Sequence, residues 1–383
     1  ALALGLPHTS RVQTHSGSTE QLAEKHVRNE IAGLAAYWFV MTASLGVYLP
    51  YFSLYLREGL GFSGAEVGMT FAVPPLVGML AQPLWGQVGD RTGSRTRVLA
   101  LLSAGSALGY GVLSLPQTFA NMLAAMALLS FFSTSQIPMA VAVTMSGLRR
   151  AGSVSFGRVR VFGTVGFLLT VLSVPWLLSE LSRSSGRPES EALDTVFYVA
   201  AALAACAALF ALALPREAPL ARLRASRTDY KLLLRDRAYV RLVSVSFGTH
   251  LFVQGPIVLF PVFVHSRGGD ADAISHMWLW MLMLETALLF VATDVYRKLG
   301  ARRAVMLCVV TSGVRFATCA LWSGALQALY PVQMLHGVMV FSMQVALPMW
   351  IETLVPERLR GTSQAGLTML GPSIGGIVSS TLC

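Results

Sequence analysis

The sequence predicts an all-α membrane protein made of two helical halves joined by a basic connection, and three observations lead there. Only 13% of the 383 residues are charged while 54% are apolar, against roughly 25% charged in an average soluble domain. Apolar stretches of roughly 20 residues, the length of helix that crosses a bilayer, recur along nearly the whole chain. Lys and Arg cluster in alternate connections between those stretches, as expected when every second connection faces the cytoplasm.

Taken in order, residues 1–30 are polar, with Arg11 and no acid before Glu20. They are expected to form a cytoplasmic tail without fixed structure, and their Ser- and Thr-rich, acid-poor character also fits the remains of a targeting peptide. Six spans follow at 31–56, 65–85, 98–115, 121–146, 159–181 and 192–214, which make a first half over 31–214. Residues 215–241 carry Arg216, Arg222, Arg224, Arg227, Lys231, Arg235 and Arg237 and are too charged to enter hydrocarbon. The second half, 242–383, gives five more spans at 242–264, 273–296, 304–322, 326–351 and 362–382. Eleven spans around a basic centre are expected of a six-plus-six protein whose twelfth span is missing from this sequence; the alternative is a natural eleven-span chain with its carboxyl end outside. Pro50, Pro74, Pro75, Pro83, Pro138, Pro175, Pro256, Pro261, Pro331 and Pro348 fall within spans and are expected to kink them, which suits a bundle with a wet interior.

Position also explains the charge. With the amino terminus inside, about 24 of the 29 Lys and Arg lie on the cytoplasmic side, and only Arg57, Arg183, Arg187 and Arg267 outside. The net charge of +10 is therefore a topology signal, and no nucleic-acid partner is expected. Cys206, Cys308 and Cys319 fall within spans and Cys383 is the last residue, so no connection offers a disulfide or metal pair. No phosphate-cradling glycine loop ending in Lys-Ser or Lys-Thr and no His-Glu-x-x-His occurs. An enzyme is not expected, nor a cofactor, and work done by this chain would draw on a gradient.

Between the second and third spans lies Gly86-Gln87-Val88-Gly89-Asp90-Arg91-Thr92-Gly93-Ser94-Arg95. It resembles the loop signature of the major facilitator superfamily: glycine, then Asp-Arg four residues on, then Gly and a basic residue. Glycine permits a tight turn there, and Asp with clustered arginines can bridge helix ends. After span eight, about 207 residues later, Arg297-Lys298-Leu299-Gly300-Ala301-Arg302-Arg303 reads as a degraded copy in which Arg297 replaces the Asp. A second pair, Arg160 before span five and Arg360 before span eleven, is about 200 residues apart, each leading into a glycine-bearing helix. Gly86, Asp90, Arg91, Gly93, Arg95, Arg160 and Arg360 are accordingly expected to form a gating network. By resemblance, Asp90 would meet the start of span eleven near Gly361 and Thr362 when the molecule opens outward, where a helix amino terminus favours an anion.

Ionisable residues inside the membrane are costly and usually kept for a purpose. Glu285 in span eight, Arg315 in span nine and His336 in span ten each lie about 15 to 18 Å deep at 1.5 Å per residue, close to mid-bilayer. Two readings stand at this point. Glu285 and Arg315 form a static pair that fixes helix register, or the three form a network in which a proton or solute shifts the balance.

Acid in span eight, Arg in span nine and His in span ten resemble the lactose permease and 3-phenylpropionate transporter branch of that superfamily. Pro50-Tyr51-Phe52, Arg160-Val161-Phe162-Gly163-Thr164-Val165-Gly166, Gln333-Met334-Leu335-His336-Gly337 and Arg360-Gly361-Thr362-Ser363-Gln364-Ala365 are similar to its recurring segments. The resemblance implies two six-helix bundles related by a pseudo-two-fold axis, alternating access, and proton-coupled uptake of sugars, nucleosides or aromatic acids. Met339 stands where the lactose permease has its proton-binding carboxylate, and Gln136 with Ser133-Thr134-Ser135 replaces an acid in span four. Proton coupling would then rest on Glu285 or His336. The resemblance also implies a cavity lined by spans one, four, seven and ten, with Tyr37, Gln136, His250, Gln254, His336 and Gln344 as candidate contacts.

The expected function is secondary transport of a small organic solute with proton symport, by a monomer in a lipid bilayer with its amino terminus in the cytoplasm or stroma. The plasma membrane is the first expectation, with a plastid or other organelle membrane as the alternative. The rivals are a facilitator-fold receptor or structural subunit of a membrane complex, and a uniporter or exporter.

Overall fold

A computed structural model of the chain describes residues 13–115, 118–151, 156–186, 192–215, 232–356 and 359–382. Among them there is no strand. Helix α1, Gln13–Tyr48, breaks at Pro50 and resumes as Phe52–Leu54 and a π turn, Tyr55–Gly59. Then come α2 (Gly64–Thr92), α3 (Arg95–Leu113), α4 (Phe119–Ser133 with Gln136–Ala151), α5 (Phe156–Ser185) and α6 (Thr195–Ala213). The second half holds α7 (Arg237–Val258 with Phe260–Ser266), α8 (Ala271–Phe290 with Ala292–Leu299) and α9 (Ala301–Leu321). Helix α10 joins Leu335–Phe341, a π turn Ser342–Ala346 and Leu347–Leu354, and α11 joins Arg360–Thr368, a π turn Met369–Gly375 and Gly376–Leu382.

Nine of the described helices are long and apolar enough to span a bilayer, ten if the two parts of α7, bent by 45°, count as one. Each predicted span is thus helical, and α11 is not among those nine or ten. The polar tail differs from expectation: α1 starts at Gln13, because extending an existing helix is far easier than starting one. Most of the predicted basic connection, 216–231, lies outside the described residues. Side chains such as Leu80, Leu169, Trp176, Leu209, Val310 and Leu321 are exposed, a lipid-facing belt that water would not tolerate.

The prolines act unequally. Helix α2 runs through Pro74, Pro75 and Pro83 without a break, whereas α7 bends just after Pro256 and the π turn of α10 ends two residues before Pro348. A wider turn frees room for the ring and leaves backbone carbonyls available.

Ends of helices are set locally. Ser63 and Glu66 form a capping box at the start of α2, and Asp236 and Asp270 accept backbone N–H groups at the starts of α7 and α8. Helix α2 continues through Gly86 and stops only at Gly93, whose φ of 61° suits glycine. The copy behaves alike, since Gly300 with φ 76° is the single residue between α8 and α9.

Small residues bring α5 against α1. A Cβ on Gly166 would meet the backbone of Phe39, and one on Gly46 the backbone of Phe167. Hydroxyls then bridge the two helices: Thr42 Oγ1 donates to Gly163 O at 2.5 Å, Thr170 Oγ1 to Ala43 O at 3.0 Å and Tyr51 OH to Val171 O at 2.9 Å. In the second half α11 meets α7 the same way, with Gly371 against Ser246 and Gly375 against Phe247. The halves touch where α2 meets α11 and α5 meets α8, two contacts that exchange when every helix is advanced by six.

The two ends of the molecule are built differently. At the end bearing Arg57 and Arg267, here the far end, a single apolar core includes Tyr51, Phe52 and Val174 of the first half and Phe260, Ile274 and Trp278 of the second. At the opposite, basic end, which carries the 86–95 turn, the first half has its own core around Trp38 and Trp85 and the second a separate one around Leu347 and Ile351. The halves are sealed together at the far end and parted at the basic end.

Gly166→Leu is expected to destabilise the protein by about 1–3 kcal/mol through overpacking against Phe39, read as a lower thermal unfolding midpoint in detergent. An unchanged midpoint would contradict the α1–α5 contact.

Candidate functional site

Arg315, on α9, is 1% exposed, so protein groups must replace all of its water. Its Nε donates to Gln333 Oε1 at 2.8 Å, Nη1 contacts His336 Nδ1 at 3.4 Å and Nη2 lies 3.7 Å from Met281 Sδ. The guanidinium carbon also lies 5.3 Å from the Phe260 ring centroid and 4.9 Å from that of Phe316, contacts worth up to about 2 kcal/mol when desolvated. Gln333 is itself fully buried, with Nε2 donating to Leu329 O at 3.1 Å and lying 3.5 Å from Cys319 Sγ.

Glu285 stands on the other side of His336, with Oε2 3.8 Å from Nε2. Of the two readings of the sequence, the direct Glu285 to Arg315 pair is not formed: Arg315 is satisfied by Gln333, His336, Met281 and two rings, and His336 stands between it and the acid. The close approach has a backbone cause. Gly337, next to His336 on α10, faces the backbone of Leu284 and Glu285 so tightly that no Cβ fits.

Across the interface stands Arg160. The sequence puts it in a gate before span five, but α5 begins at Phe156 and places it one turn inside the helix, over the Trp38 ring at 4.7 Å. Trp38 is fixed by its indole N–H donating to Thr144 Oγ1 at 2.9 Å. Gly163 leaves room for the guanidinium, whose Nη1 is buried with no hydrogen-bond partner. Arg160 on α5 and Glu285 on α8 stand on the two helices that meet across the halves. Two turns nearer the far end on both helices, Phe167 and Trp278 touch at 5.4 Å between ring centroids, so an aromatic contact floors the space between Arg160 and Glu285. Seven residues separate the two levels on each helix, about 10 Å.

The other expected cavity residues do not gather here. Tyr37 is buried inside the first half, its hydroxyl 3.1 Å from Ser103 Oγ, and Gln136 is also buried. His250 Nδ1 donates to Ser246 O at 2.8 Å and the ring faces Gly371 and Gly375, while Gln254 faces Gly376; both belong to the α7–α11 contact. Gln344 is exposed in the π turn of α10. In the 86–95 turn, Asp90 pairs with Arg95 at 2.7 Å, Arg91 is exposed, and Gly86 is plain helix. The side chains of Arg360, Gly361 and Thr362 lie outside the described residues.

Sequence reasoning missed Trp38 and Gln333. Gln333 stands three residues from His336, one helical turn away, which is the spacing that lets two side chains serve one buried cation. Trp38 carries no such signal, because its value comes from α5 crossing α1.

Comparison with known proteins gives one family match, to the model described as the MFS_1 like family, over residues 31–383. The chain is similar to the maltose permease of Geobacillus stearothermophilus, 27% identical over 347 residues that cover 88% of this chain and 83% of that one. It is similar over a shorter stretch to the lactose permease of Citrobacter freundii, 27% identical over 132 residues, 33% of this chain and 32% of that one. The solved structure of the nucleoside transporter NupG superposes with a TM-score of 0.79 at 20% identity, covering 92% of this chain and 90% of that one.

Gly337→Ala would force α8 away from α10 at Glu285 and is expected to lower stability by about 1–3 kcal/mol. A thermal midpoint equal to that of the parent protein would show that the two backbones are not in contact.

Proposed function

The chain belongs to the MFS_1 like family, and from that premise we propose that it carries a small polar or aromatic organic solute across the membrane by alternating access, in symport with protons. Family membership makes it a multi-pass transporter rather than an enzyme. What supports the finer reading is that Arg160 over Trp38 in one half, and Glu285 beside His336 in the other, stand on elements flanking the boundary where α5 meets α8, two turns from the Phe167–Trp278 contact. A solute seated there would touch both halves, and one that binds better in one arrangement than in the other shifts how they sit relative to each other.

The chemistry of the groups narrows the class. Arg160 brings a donor without a partner, Glu285 an acceptor, and Trp38 a flat ring face. A ring-shaped solute rich in hydroxyl or carbonyl oxygens matches all three, and relatives named as a maltose permease and a nucleoside transporter are in keeping with it. Glu285 is the proton carrier in this reading, because Met339 at the alternative position packs among apolar neighbours.

With the amino terminus in the cytoplasm, the basic end is the inner one, and the arrangement described is the inward-open state with the far end shut. Asp90, held by Arg95 here, is then free to meet the amino terminus of α11 when the inner end closes. The bacterial relatives support a plasma-membrane location, and the two-sided site within one chain supports a monomer.

Reconstituted into proteoliposomes with an imposed pH gradient and tested with sugars and nucleosides, Glu285→Gln is expected to abolish gradient-driven uptake while sparing solute exchange. No flux with any solute would favour a receptor or structural subunit. Arg160→Lys keeps the charge but loses the planar fork, and a lost charged hydrogen bond of about 1.5–3 kcal/mol should weaken solute binding by at least about 10-fold.

A further inference from the structure

We infer that Gln333 and Arg315 act as positioning residues that lock His336 in its neutral tautomer with the proton on Nε2, leaving Glu285 as the group that takes up and releases the transported proton. The lock comes from a count of donors. A guanidinium only donates hydrogen bonds. Its Nη1 lies 3.4 Å from His336 Nδ1, so Nδ1 must present a lone pair. A neutral imidazole carries one N–H, which therefore sits on Nε2, the nitrogen 3.8 Å from Glu285 Oε2. A second proton on Nδ1 would set N–H against N–H and one cation against another in a site nearly closed to water.

Arg315 cannot turn away to relieve such a clash. Its Nε is held by Gln333 Oε1 at 2.8 Å, and Phe260 and Phe316 cover the guanidinium. Nor can the Gln333 amide flip, because its NH2 already donates to Leu329 O at 3.1 Å. A flip would face carbonyl with carbonyl and donor with donor. Four groups thus form a directed chain, with Gln333 fixing Arg315, Arg315 fixing Nδ1, and Nε2–H turned toward the acid.

The titratable and charged groups facing this chain among the described residues are Arg315 and Cys319 on α9, Glu285 on α8 and Arg160 on α5. Of these, Glu285 is the single carboxylate. Ionised, it draws Nε2–H toward it. Protonated, it gains an O–H that Nε2 cannot accept, so that hydrogen must turn away from His336. His336 thereby reports the charge of Glu285 without carrying the proton. The transport consequence rests on the proposed symport, whereas the tautomer is a property of the resting protein.

The test is nitrogen NMR of the full chain in lipid nanodiscs with 15N-labelled histidine, using His336→Gln to assign the signals. The expected result is a neutral ring protonated on Nε2 that does not titrate between about pH 5 and about pH 8, the window in which an ordinary histidine changes charge. Gln333→Leu should release Arg315, so that the His336 ring begins to titrate in that window and the pH profile of uptake gains a second inflection. A parent protein whose His336 is protonated on Nδ1, or charged at pH 7, overturns the assignment even if Gln333→Leu fails to fold. Absence of flux with the tautomer as expected would count against the transport reading and leave the lock standing.

Discussion

A guanidinium near the middle of the bilayer must be given everything water would have given it, and much of the second half is shaped by meeting that demand at Arg315. An isolated cation at that depth costs several kcal/mol. Here an amide, an imidazole, a thioether and two aromatic faces from α7, α8, α9 and the start of α10 share the work. Each of those groups is in turn committed, and the commitment propagates outward to the Leu329 carbonyl on one side and to Glu285 on the other. The polar cluster is therefore both a brace for four helices and a chemically directed unit.

The first half answers a different demand. Arg160 is not neutralised or saturated with hydrogen bonds; it rests on Trp38 with one nitrogen idle. A group left short of partners in one arrangement is a group whose needs can be met by a visitor or by a change of arrangement. The contrast between a satisfied arginine in one half and an unsatisfied one in the other is the ground on which solute contact is proposed for Arg160 rather than for Arg315.

Much of the architecture is legible in the chain itself, because bilayer length, charge alternation and single-glycine turns are local properties. Gly93 and Gly300 mark the same turn in both halves, and their positions follow from sequence spacing alone. The three deep ionisable residues are also legible, since each is conspicuous against an apolar background. Who pairs with whom is not. Glu285 and Arg315 invite each other by charge, yet which faces meet depends on the crossing of α8 and α10, and that is decided by the missing Cβ of Gly337. Tyr37, His250 and Gln254 mislead for the same reason: a polar residue in a span is equally at home bonded to a neighbouring helix. The helical extension of the polar amino-terminal stretch and the passage of α2 through three prolines are hidden because both depend on a neighbouring turn already formed.

The backbone contact between Gly337 and Glu285 also restricts how the molecule can change shape. With no side chain between them, the backbones of α8 and α10 are in direct contact there, and any side chain added at Gly337 would drive the two helices apart. The acid and its imidazole are then passengers of the second half, and the idle arginine is a passenger of the first. If the halves rock as proposed, the gap from Arg160 to Glu285 changes with them, and that single distance would serve as a gauge of which side of the membrane the protein faces.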